Sequence, residues 1–596
     1  MQNNNNHTWN LRPFYKSDND PQMLKDRESG KKLVEKFVKK YTQDKSYLKE
    51  SKKMLKALQD YEELIQNNGY LYKEQYYLFL RSSQEADNDE LKAKNNSINK
   101  LVTELSNLSQ FFIYSISKIP AENQKLFLED KSLSNYKHFL ETSFLSSKYL
   151  LSEAEEKLLN ITGKTSSSNW VEMVNEFIHS ESVTFNKHKI SFEDILNIAT
   201  QSHDEKERDR ATKQLNKIFT KYIPVATHEL NSIIEYSSRI EELKKLERPD
   251  KGRHIADDID SEVVDALVNS VTKRFDLSER YYQLKAKLFG KKKLKYNERN
   301  LEYGKITKEY EYHDAKEIVL NVYKKLDSEF YDIAKGIFDK GYVDVFPRKG
   351  KDGGAYCMSL SLSLPTYVML NFKNKLDDVC TIAHEFGHAI NAELIKKIET
   401  EINNGHSTAT AEVASTFFED FALKEVSKDL DEEGQLSIMM NKLNDDISTI
   451  FRQIALYNFE IEIHNLIKEG TYLSTKQLGA IFLKHMKAYM GKSVSYDKGS
   501  ENWWVYWSHI RNFFYVYSYA SGLLISKSMQ SKVKDDSKFI SKVKNFLSTG
   551  TSKSPKEIFK ELSIDISDPK FWDQGIKEVE DLLNETENLA KKLSKL

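Results

Sequence analysis

Apolar residues recur at intervals of three and four along most of the 596-residue chain, and Lys and Glu fill the polar face between them. This spacing is typical of amphipathic helices. Only nine prolines occur, so long helices are permitted. The spacing predicts one or two long helices between Asp204 and about Glu247, and another from Asp260 to about Leu288.

Helix starts and connections are also visible in the chain. The stretch GKTSSSN (163–169) is small and polar and predicts a flexible joint, and ERPDKGRH (247–254) predicts a loop. Three helix starts carry either capping-box spacing or a capping side chain followed by Pro: Ser152 with Glu155, Ser554 with Pro555, and Asp568 with Pro569.

The pattern changes near residue 340, where residues 341–372 become rich in Gly, Tyr and alternating apolar residues. Pro365 interrupts this stretch, and TYVMLNF then continues it. A period of two predicts a strand over residues 357–364, with four side chains on one face: Met358, Leu360, Leu362 and Leu364. The sequence therefore predicts a small β element, directly before a helix, in an otherwise helical protein.

Charge, hydropathy and cysteine usage narrow the class of protein. The formal net charge is −1, which argues against a general nucleic-acid binder. No window reaches the roughly 18 apolar residues that span a membrane, and MQNNNNHTWN lacks the features of a signal peptide. Only Cys357 and Cys380 occur, so a disulfide framework is excluded and a reducing cytoplasm is expected.

The stretch HEFGH (384–388) is the strongest candidate for chemistry. His384 and His388 lie one helical turn apart, so both rings can reach one zinc ion, and Glu385 stands beside them as a base. Asp377 or Asp378 can cap this helix. Chance places at most about 0.05 such motifs in a chain of this composition. The flanking residues are apolar, and burying these polar groups without a metal would be costly.

A catalytic zinc site needs a third protein ligand. The metzincin pattern fails, because Asn391 and Leu394 stand where it needs Gly and His. Glu412, in the predicted helix 409–426, is the better candidate, and His406 is a rival. Glu419 lies two turns beyond Glu412 on nearly the same face, where it could accept a hydrogen bond from a ligand imidazole. Cobalt or manganese could replace zinc.

The stretch WWVYWSHIRNFFYVYSYASG (503–522) is unusually aromatic. Part of it must pack in a core, but buried Tyr hydroxyls need partners. Hydrolysis of a peptide bond also needs donors for the oxyanion of the intermediate. His509, Tyr515 and Tyr519 are the candidates, with Tyr515 and Tyr519 one turn apart and Tyr517 on another side.

These motifs together resemble a known family. HEFGH followed by EVASTFFE (412–419) is similar to the thimet-oligopeptidase family of zinc peptidases. The stretches PRKGKDGGAYC (347–357) and HIRNFFYVYSYASG (509–522) resemble its oligoendopeptidase F members. The resemblance extends from about residue 205 to the end, and more weakly over 115–185.

The resemblance implies a mainly α, two-lobed zincin-type fold with a deep central cleft. It implies an N-terminal helical lobe over 1–204 and a catalytic domain over 205–596. One zinc ion would be held by His384, His388 and Glu412, with Glu385 as base. Thimet-type members have Tyr five residues after the His that matches His509, whereas this chain has Phe514 and then Tyr515. Which tyrosine contacts the intermediate is therefore left open.

We therefore expect a cytoplasmic zinc-dependent endopeptidase that cleaves short peptides and has neither nucleic acid nor membrane as a partner. Strand 357–364 could pair with an extended substrate through main-chain hydrogen bonds. The alternatives are a zinc exopeptidase on a related helical scaffold, and a helical peptide-binding protein whose metal site is vestigial.

Overall fold

The computed structural model describes residues 7–66, 69–407 and 410–596, and helices dominate throughout these ranges, as predicted for a mainly α fold. The helices of these ranges are α1 Gln22–Gln43, α2 Ser51–Gln66, α3 Tyr72–Gln84, α4 Asp89–Ser117, α5 Ala121–Leu128, α6 Lys137–Ser147, α7 Glu153–Gly163, α8 Asn169–His179, α9 Phe192–Gln201, α10 Glu205–Lys244, α11 Lys251–Ala256, α12 Ser261–Lys273, α13 Phe275–Leu288, α14 Tyr312–Leu326, α15 Ser328–Asp339, α16 Leu376–Ile398, α17 Val413–Ser427, α18 Glu432–Asp446, α19 Gln453–Lys468, α20 Thr475–Met490, α21 Tyr517–Asp535, α22 Ile540–Ser548, α23 Pro555–Glu561 and α24 Pro569–Lys592.

Several predicted helices and caps are confirmed. Helix α10 covers the stretch predicted after Asp204, whose side chain accepts hydrogen bonds from the first turn. The capping box of Ser152 is present, and Ser554 and Asp568 each cap a helix that starts with Pro. Local side-chain chemistry was therefore a reliable guide to where these helices begin.

Three predictions about connections are wrong. Residues 164–168 form π-helical turns that join α7 to α8, so the stretch predicted as a flexible joint is helical. Residues 251–256 of the predicted loop form α11. The helix predicted from residue 260 to 288 is two helices, because Arg274 leaves the helical conformation (φ −109°, ψ 23°) between α12 and α13.

The strands are short and form three small sheets within the described ranges. An antiparallel hairpin pairs β1 Ser182–Phe185 with β2 His188–Ser191, and a parallel pair joins β3 Leu294–Lys295 to β7 Val494–Ser495. The third sheet contains β4 Val343–Asp344, β5 Tyr356–Met358 and β6 Tyr367–Met369 in the order β4-β6-β5, with β4 parallel and β5 antiparallel to β6.

The third sheet is the predicted β element, but the strand predicted over 357–364 is wrong in length. Strand β5 ends at Met358, and a turn follows in which the N–H of Leu364 donates to the carbonyl of Ser361. The N–H of Leu362 donates to the Glu401 carboxylate at 3.2 Å. These local partners replace the ladder bonds that a longer strand would need.

Two hydrophobic cores divide the molecule, and β6 lies between them. One core is built mainly from residues 9–144 and the other mainly from residues 174–590. Tyr367 and Met369 belong to the first core, whereas Val368 and Leu370 belong to the second. The alternation of side chains along a strand therefore lets β6 contribute to both cores.

The start of the described chain is tied to this sheet. The indole N–H of Trp9 donates to the Val368 carbonyl at 2.8 Å, and the Tyr367 hydroxyl donates to the Asn10 carbonyl at 2.7 Å. The N–H of Val345 donates to the carbonyl of His7. Among the described residues, no helix has the length and apolar character needed to cross a bilayer.

Candidate active site

Helix α16 carries HEFGH through the middle of the second core. Asp378 accepts hydrogen bonds from the N–H groups of Lys373 and Lys375, both at 2.8 Å, and so fixes the start of the helix. The Tyr323 hydroxyl donates to the carbonyl of Ala383 at 3.1 Å. The helix is thus held at its start and beside the first histidine.

Helices α16 and α17 approach each other closely at Gly387. A methyl group added there would lie 2.7 Å from Cα of Ser415 and 2.8 Å from the carbonyl oxygen of Ala414. Both atoms belong to the α17 backbone, so they could not rotate away. The glycine of HEFGH therefore permits the helix contact that brings Glu412 to the histidines.

His384, His388 and Glu412 each offer one ligand atom, and these three atoms all lie within 4.8 Å of one another. Oε2 of Glu412 is 3.5 Å from Nε2 of each histidine. Glu412 stands at the residue that precedes α17, so the helix begins later than the predicted 409–426, of which residue 409 lies outside the described ranges.

Contacts outside the three-residue group orient Glu412. The Ser415 hydroxyl donates to Oε2 of Glu412 at 2.7 Å. A methyl group on Gly522 of α21 would lie 3.1 Å from Cβ of Glu412, so α21 packs directly behind this carboxylate. Burial opposes the charge on Glu412, but His388 and Ser415 outweigh it and lower its pKa to about 2. Glu412 is therefore an anion at neutral pH.

Glu419 lies behind His384. Its Oε2 is 2.8 Å from Nδ1 of His384, the ring nitrogen opposite the one that faces Glu412. Burial disfavours a charge on His384, but Glu419 outweighs it and raises the pKa of the ring. A carboxylate in this position orients the imidazole and fixes its tautomer, which is the predicted role of Glu419.

Glu385 is only 7% exposed and lies between the histidines and strand β5. Burial raises its pKa, while the charges of His384 and His388 act in the opposite direction. The backbone N–H of Cys357 in β5 lies close enough to lower this pKa slightly. A carboxylate with a raised pKa is a better proton acceptor than an exposed one, which suits a general base.

The aromatic segment contributes His509 and two tyrosines. The Tyr519 hydroxyl is 3.4 Å from Nε2 of His509, and the rings of Tyr515 and Tyr519 pack edge to face at 5.3 Å. Burial raises the pKa of Tyr519, and Tyr515 and Glu412 add to this effect. Tyr519 also lies one turn before Gly522, on the face of α21 that packs against Glu412.

Two sets of contacts hold this segment, and sequence analysis missed both. The Arg511 guanidinium donates twice to Glu229 of α10, at 2.9 and 2.8 Å, in a buried ion pair. Nη1 of Arg511 also donates to the carbonyls of Trp504 and Trp507. Because the partners are separated by 282 residues, no local pattern indicates this pair.

The second set runs from Tyr517 to Tyr515. The Tyr517 hydroxyl donates to Asp257 at 2.7 Å, and Asp257 accepts two hydrogen bonds from Arg253. The Arg253 guanidinium then lies 5.1 Å from the ring centroid of Tyr515. Tyr517 faces away from the candidate site. Through Asp257 and Arg253 it helps to hold the ring of Tyr515 in place.

Two cavities lie in this part of the molecule, and one of them reaches the three-residue group. One, of about 560 Å³, lies between α6 of the first core and elements of the second, and His406 lines it. Burial lowers the pKa of His406, with a smaller effect from the neighbouring His388, but His406 is not among the three residues whose ligand atoms converge. The other cavity, of about 270 Å³, is lined by His384, Glu385 and Glu419.

The donor set fits a metal ion of the zinc class. Two imidazole nitrogens and one carboxylate oxygen converge, and both nitrogens face the same oxygen. These ligand types are the ones that hold catalytic zinc with one position left open. The second nitrogen of His384 has the carboxylate partner that ligand histidines usually have.

Comparison with known proteins agrees with this geometry. The family model described as Peptidase family M3 matches residues 191–578, and the model described as Oligopeptidase F matches residues 116–178. Oligopeptidase PepF of Bacillus subtilis is 26% identical over 98% of this chain and 88% of its own length. An oligoendopeptidase F homologue of Lactococcus lactis is 23% identical over 98% of this chain and 97% of its own.

Solved structures share the fold. A crystal structure from Chlamydophila abortus has a TM-score of 0.85 and 22% identity, and covers 98% of both chains. Oligoendopeptidase-F from Enterococcus faecium has a TM-score of 0.69 and 18% identity, over 96% of this chain and 98% of its own. With a family model that spans most of its length and a metal-ligand group in the second core, the chain belongs to peptidase family M3 and is a metallopeptidase acting on oligopeptides.

Proposed function

We propose that the protein is a zinc-dependent endopeptidase that hydrolyses internal bonds of short peptides. The observation that carries this proposal is the convergence of His384, His388 and Glu412 beside the buried carboxylate of Glu385. Two nitrogen donors and one carboxylate favour zinc over magnesium or calcium, which prefer oxygen ligands.

Glu385 is the proposed proton carrier. It accepts a proton from the attacking water and delivers it to the leaving amine, and its raised pKa favours the first of these steps. The chemistry that zinc supplies when bound is Lewis acidity at the scissile carbonyl and acidification of water. Glu419 keeps the His384 ring in one orientation throughout.

His509, Tyr515 and Tyr519 are the proposed donors to the oxyanion that forms on the substrate. The Tyr519 hydroxyl lies within hydrogen-bond distance of His509, so the two side chains are next to each other. Tyr519 also lies on the face of α21 that packs against Glu412. Tyr515 is adjacent to Tyr519 and carries Arg253 on its ring. Donors held in place before the reaction stabilise developing charge without reorganisation.

Short peptides are the proposed partners, rather than nucleic acid or a membrane. Strand β5 is at the edge of its sheet and lies against Glu385, so an extended peptide could pair with its free side. Both cysteines are free and the net charge is −1. The proposed compartment is the reducing cytoplasm.

The test is hydrolysis of an internally quenched peptide of about ten residues with both ends blocked, a length that suits an extended-strand binding mode. We expect turnover that a chelator abolishes and added zinc restores. Turnover that persists after complete metal removal would refute metal dependence.

A product ladder from the same blocked peptide separates the alternatives. Internal cuts support the endopeptidase, whereas cleavage of free-ended peptides alone would indicate a zinc exopeptidase. Tight binding without any turnover would indicate a peptide-binding protein with a vestigial site.

A further inference from the structure

Two neighbouring cations in the second core differ from the other buried cations. Five Lys or Arg residues are buried in the described ranges: Arg208, Lys285, Arg299, Arg511 and Lys527. Arg208 pairs with Glu298, Arg511 with Glu229, and Lys527 with Asp446. Within those ranges, neither Lys285 nor Arg299 has a carboxylate partner, and the two are in contact.

In the described part of the chain, the hydrogen bonds of these two cations go to neutral acceptors. Nζ of Lys285 donates to the Arg299 carbonyl at 2.8 Å and to Oδ1 of Asn444 at 2.9 Å. Burial lowers the pKa of Lys285 to about 7, so this side chain can lose its charge near neutrality. Arg299 cannot do so, because a guanidinium stays protonated in proteins.

Aromatic rings surround Arg299 without satisfying its donors. Its guanidinium carbon lies 4.3 Å from the ring centroid of Tyr296, 4.8 Å from that of Trp503 and 5.8 Å from that of Trp507. Nη1 donates to the Tyr296 carbonyl, but Nε has no acceptor among the described residues although it is fully buried. Stacking stabilises the faces of the guanidinium, and its N–H groups still need an acceptor.

The parallel strand pair β3–β7 places two tyrosine hydroxyls, both possible hydrogen-bond donors, near Arg299. Lys295 pairs with Ser495, so the residues that follow them, Tyr296 and Tyr496, lie side by side with ring centroids 5.7 Å apart. Both hydroxyl oxygens are buried, and neither has a hydrogen-bond partner within the described part of the chain. The charge of Arg299 is close enough to act on both tyrosines.

The carboxylates around Arg299 either pair with other cations or lie beyond ion-pair distance. Glu298 lies close by but is occupied by Arg208 and Lys291. Arg452, whose charge also acts on Tyr296, donates to Oδ1 of Asn300 and forms no ion pair within the described ranges. Asp445 and Glu302 act on Lys285 from beyond ion-pair distance. An anion beside Arg299 would therefore meet a guanidinium without an ion-pair partner among the described residues as well as hydroxyl donors.

We propose that Arg299, Tyr296 and Tyr496 form a buried binding site for a small monovalent anion, with chloride as the natural occupant. Water could satisfy the two hydroxyls but would leave the charge of Arg299 uncompensated. A substrate carboxylate cannot reach the site, because Arg299 is 2% exposed and Tyr296 is 2% exposed. A multivalent phosphate would cost far more to dehydrate in an aromatic surrounding.

The test is thermal unfolding of the full, metal-free chain in sodium chloride and in sodium gluconate at equal ionic strength. We expect the unfolding midpoint to rise with chloride concentration until the site saturates, and gluconate to be without this effect because it is too large to enter. The double variant Tyr296→Phe, Tyr496→Phe keeps both rings and removes both donors. Its apparent chloride affinity is expected to be at least about tenfold weaker.

A matched control is Tyr47→Phe, which removes the hydroxyl of a buried tyrosine in the first core. It is expected to keep the full chloride response. Equal behaviour in chloride and gluconate, or a chloride response that the double variant retains, would overturn the proposal.

Bromide soaked into crystals of the wild-type chain gives an independent test that does not depend on the folding of any variant. We expect an anomalous peak beside Nε of Arg299. A crystal in which bromide binds elsewhere and leaves this position empty would refute the site.

Discussion

Glu385 combines burial with a place on the same helical turn as His384 and His388, the proposed metal ligands. It is 7% exposed, and its carboxylate lies near the backbone N–H of Cys357 in the neighbouring strand. Neither histidine is paired with Glu385, because His384 faces Glu419 and His388 faces Glu412. The side chain can therefore be changed without removing a metal ligand, and its chemical role can be tested separately from metal binding.

Glu385→Gln is expected to bind zinc normally and to lose activity by about 10²–10⁴-fold, because the amide cannot accept a proton. Metal content by atomic emission and kcat on the quenched peptide would be measured on the same preparation. His384→Ala serves as the contrast, since it is expected to lose both metal and activity. Full activity in Glu385→Gln would rule out the proposed mechanism.

Tyr519→Phe is expected to lower kcat by about 10²–10³-fold with little change in KM, because an oxyanion donor acts mainly in the transition state. Tyr515→Phe is the matched comparison, with the same atom removed one helical turn away. A larger loss in Tyr515→Phe would assign the principal contact to Tyr515 instead. Equal activity of both variants and wild type would exclude the tyrosines as donors.

Among elements, the α16–α17 pair determines the proposed metal site, because Glu412 lies at the start of one helix and the histidines lie on the other. Their contact at Gly387 has no room for a side chain, since an added methyl would lie 2.7 Å from Cα of Ser415. Any widening of this contact moves Glu412 relative to both histidines. The distance between two helices thus controls the geometry of the ligands.

Gly387→Ala is therefore expected to weaken zinc binding at least about tenfold and to destabilise the fold by about 1–3 kcal/mol, as overpacking does. Zinc affinity by competition with a chelator and chemical unfolding would measure the two effects. Gly336→Ala in α15 is the matched control, because no atom outside its own helix lies within 4 Å of the added methyl. It is expected to be neutral or to stabilise by up to about 1 kcal/mol. Equal zinc affinity in both variants would contradict the proposed role of the helix contact.

Features that depend on residues close together in the sequence could be predicted, whereas those that depend on distant residues could not. The positions of His384 and His388 follow from a spacing of four on one helix, and the capping of α10 by Asp204 follows from adjacent residues. Strand β5 was predicted too long because its end depends on Glu401, more than 35 residues away along the chain. Arg511 with Glu229, and Tyr296 beside Tyr496, are separated by still longer stretches. No period of two or four encodes such contacts.

In the molecule as a whole, the two cores meet across a polar contact as well as across β6. Nε2 of His138 in α6 is 2.6 Å from Oδ2 of Asp258, which lies between α11 and α12. Burial disfavours the charged ring, but Asp258 outweighs it, with Glu557 and Glu141 acting in the same direction, and the pKa of His138 is raised. The ring and its partner line the larger cavity between the cores.

A raised folded-state pKa makes this contact most stabilising at low pH. The contribution of His138 is expected to be fully present below the ordinary pKa of 6.5 and to be lost as pH rises through the raised value. His138→Gln is expected to lower stability by about 0.5–1 kcal/mol at pH 6 and by less at pH 9. Unfolding free energies of wild type and variant across this range would test it. A difference that stays constant with pH would show that the ring does not carry a titrating charge.

Strand β6 has a consequence for how this protein can be recombined. Its alternate side chains complete two different cores, and the neighbouring strand β5 touches Glu385. The boundary between the halves is therefore not a place where the chain can be cut and rejoined freely. An N-terminal half taken from a relative would have to match Tyr367 and Met369, which lie more than 200 residues further along in the recipient. Because Val368 and Leu370 of the same strand belong to the other core, moving β6 with either half leaves one core mismatched, so the two halves are not expected to be exchangeable between relatives one at a time.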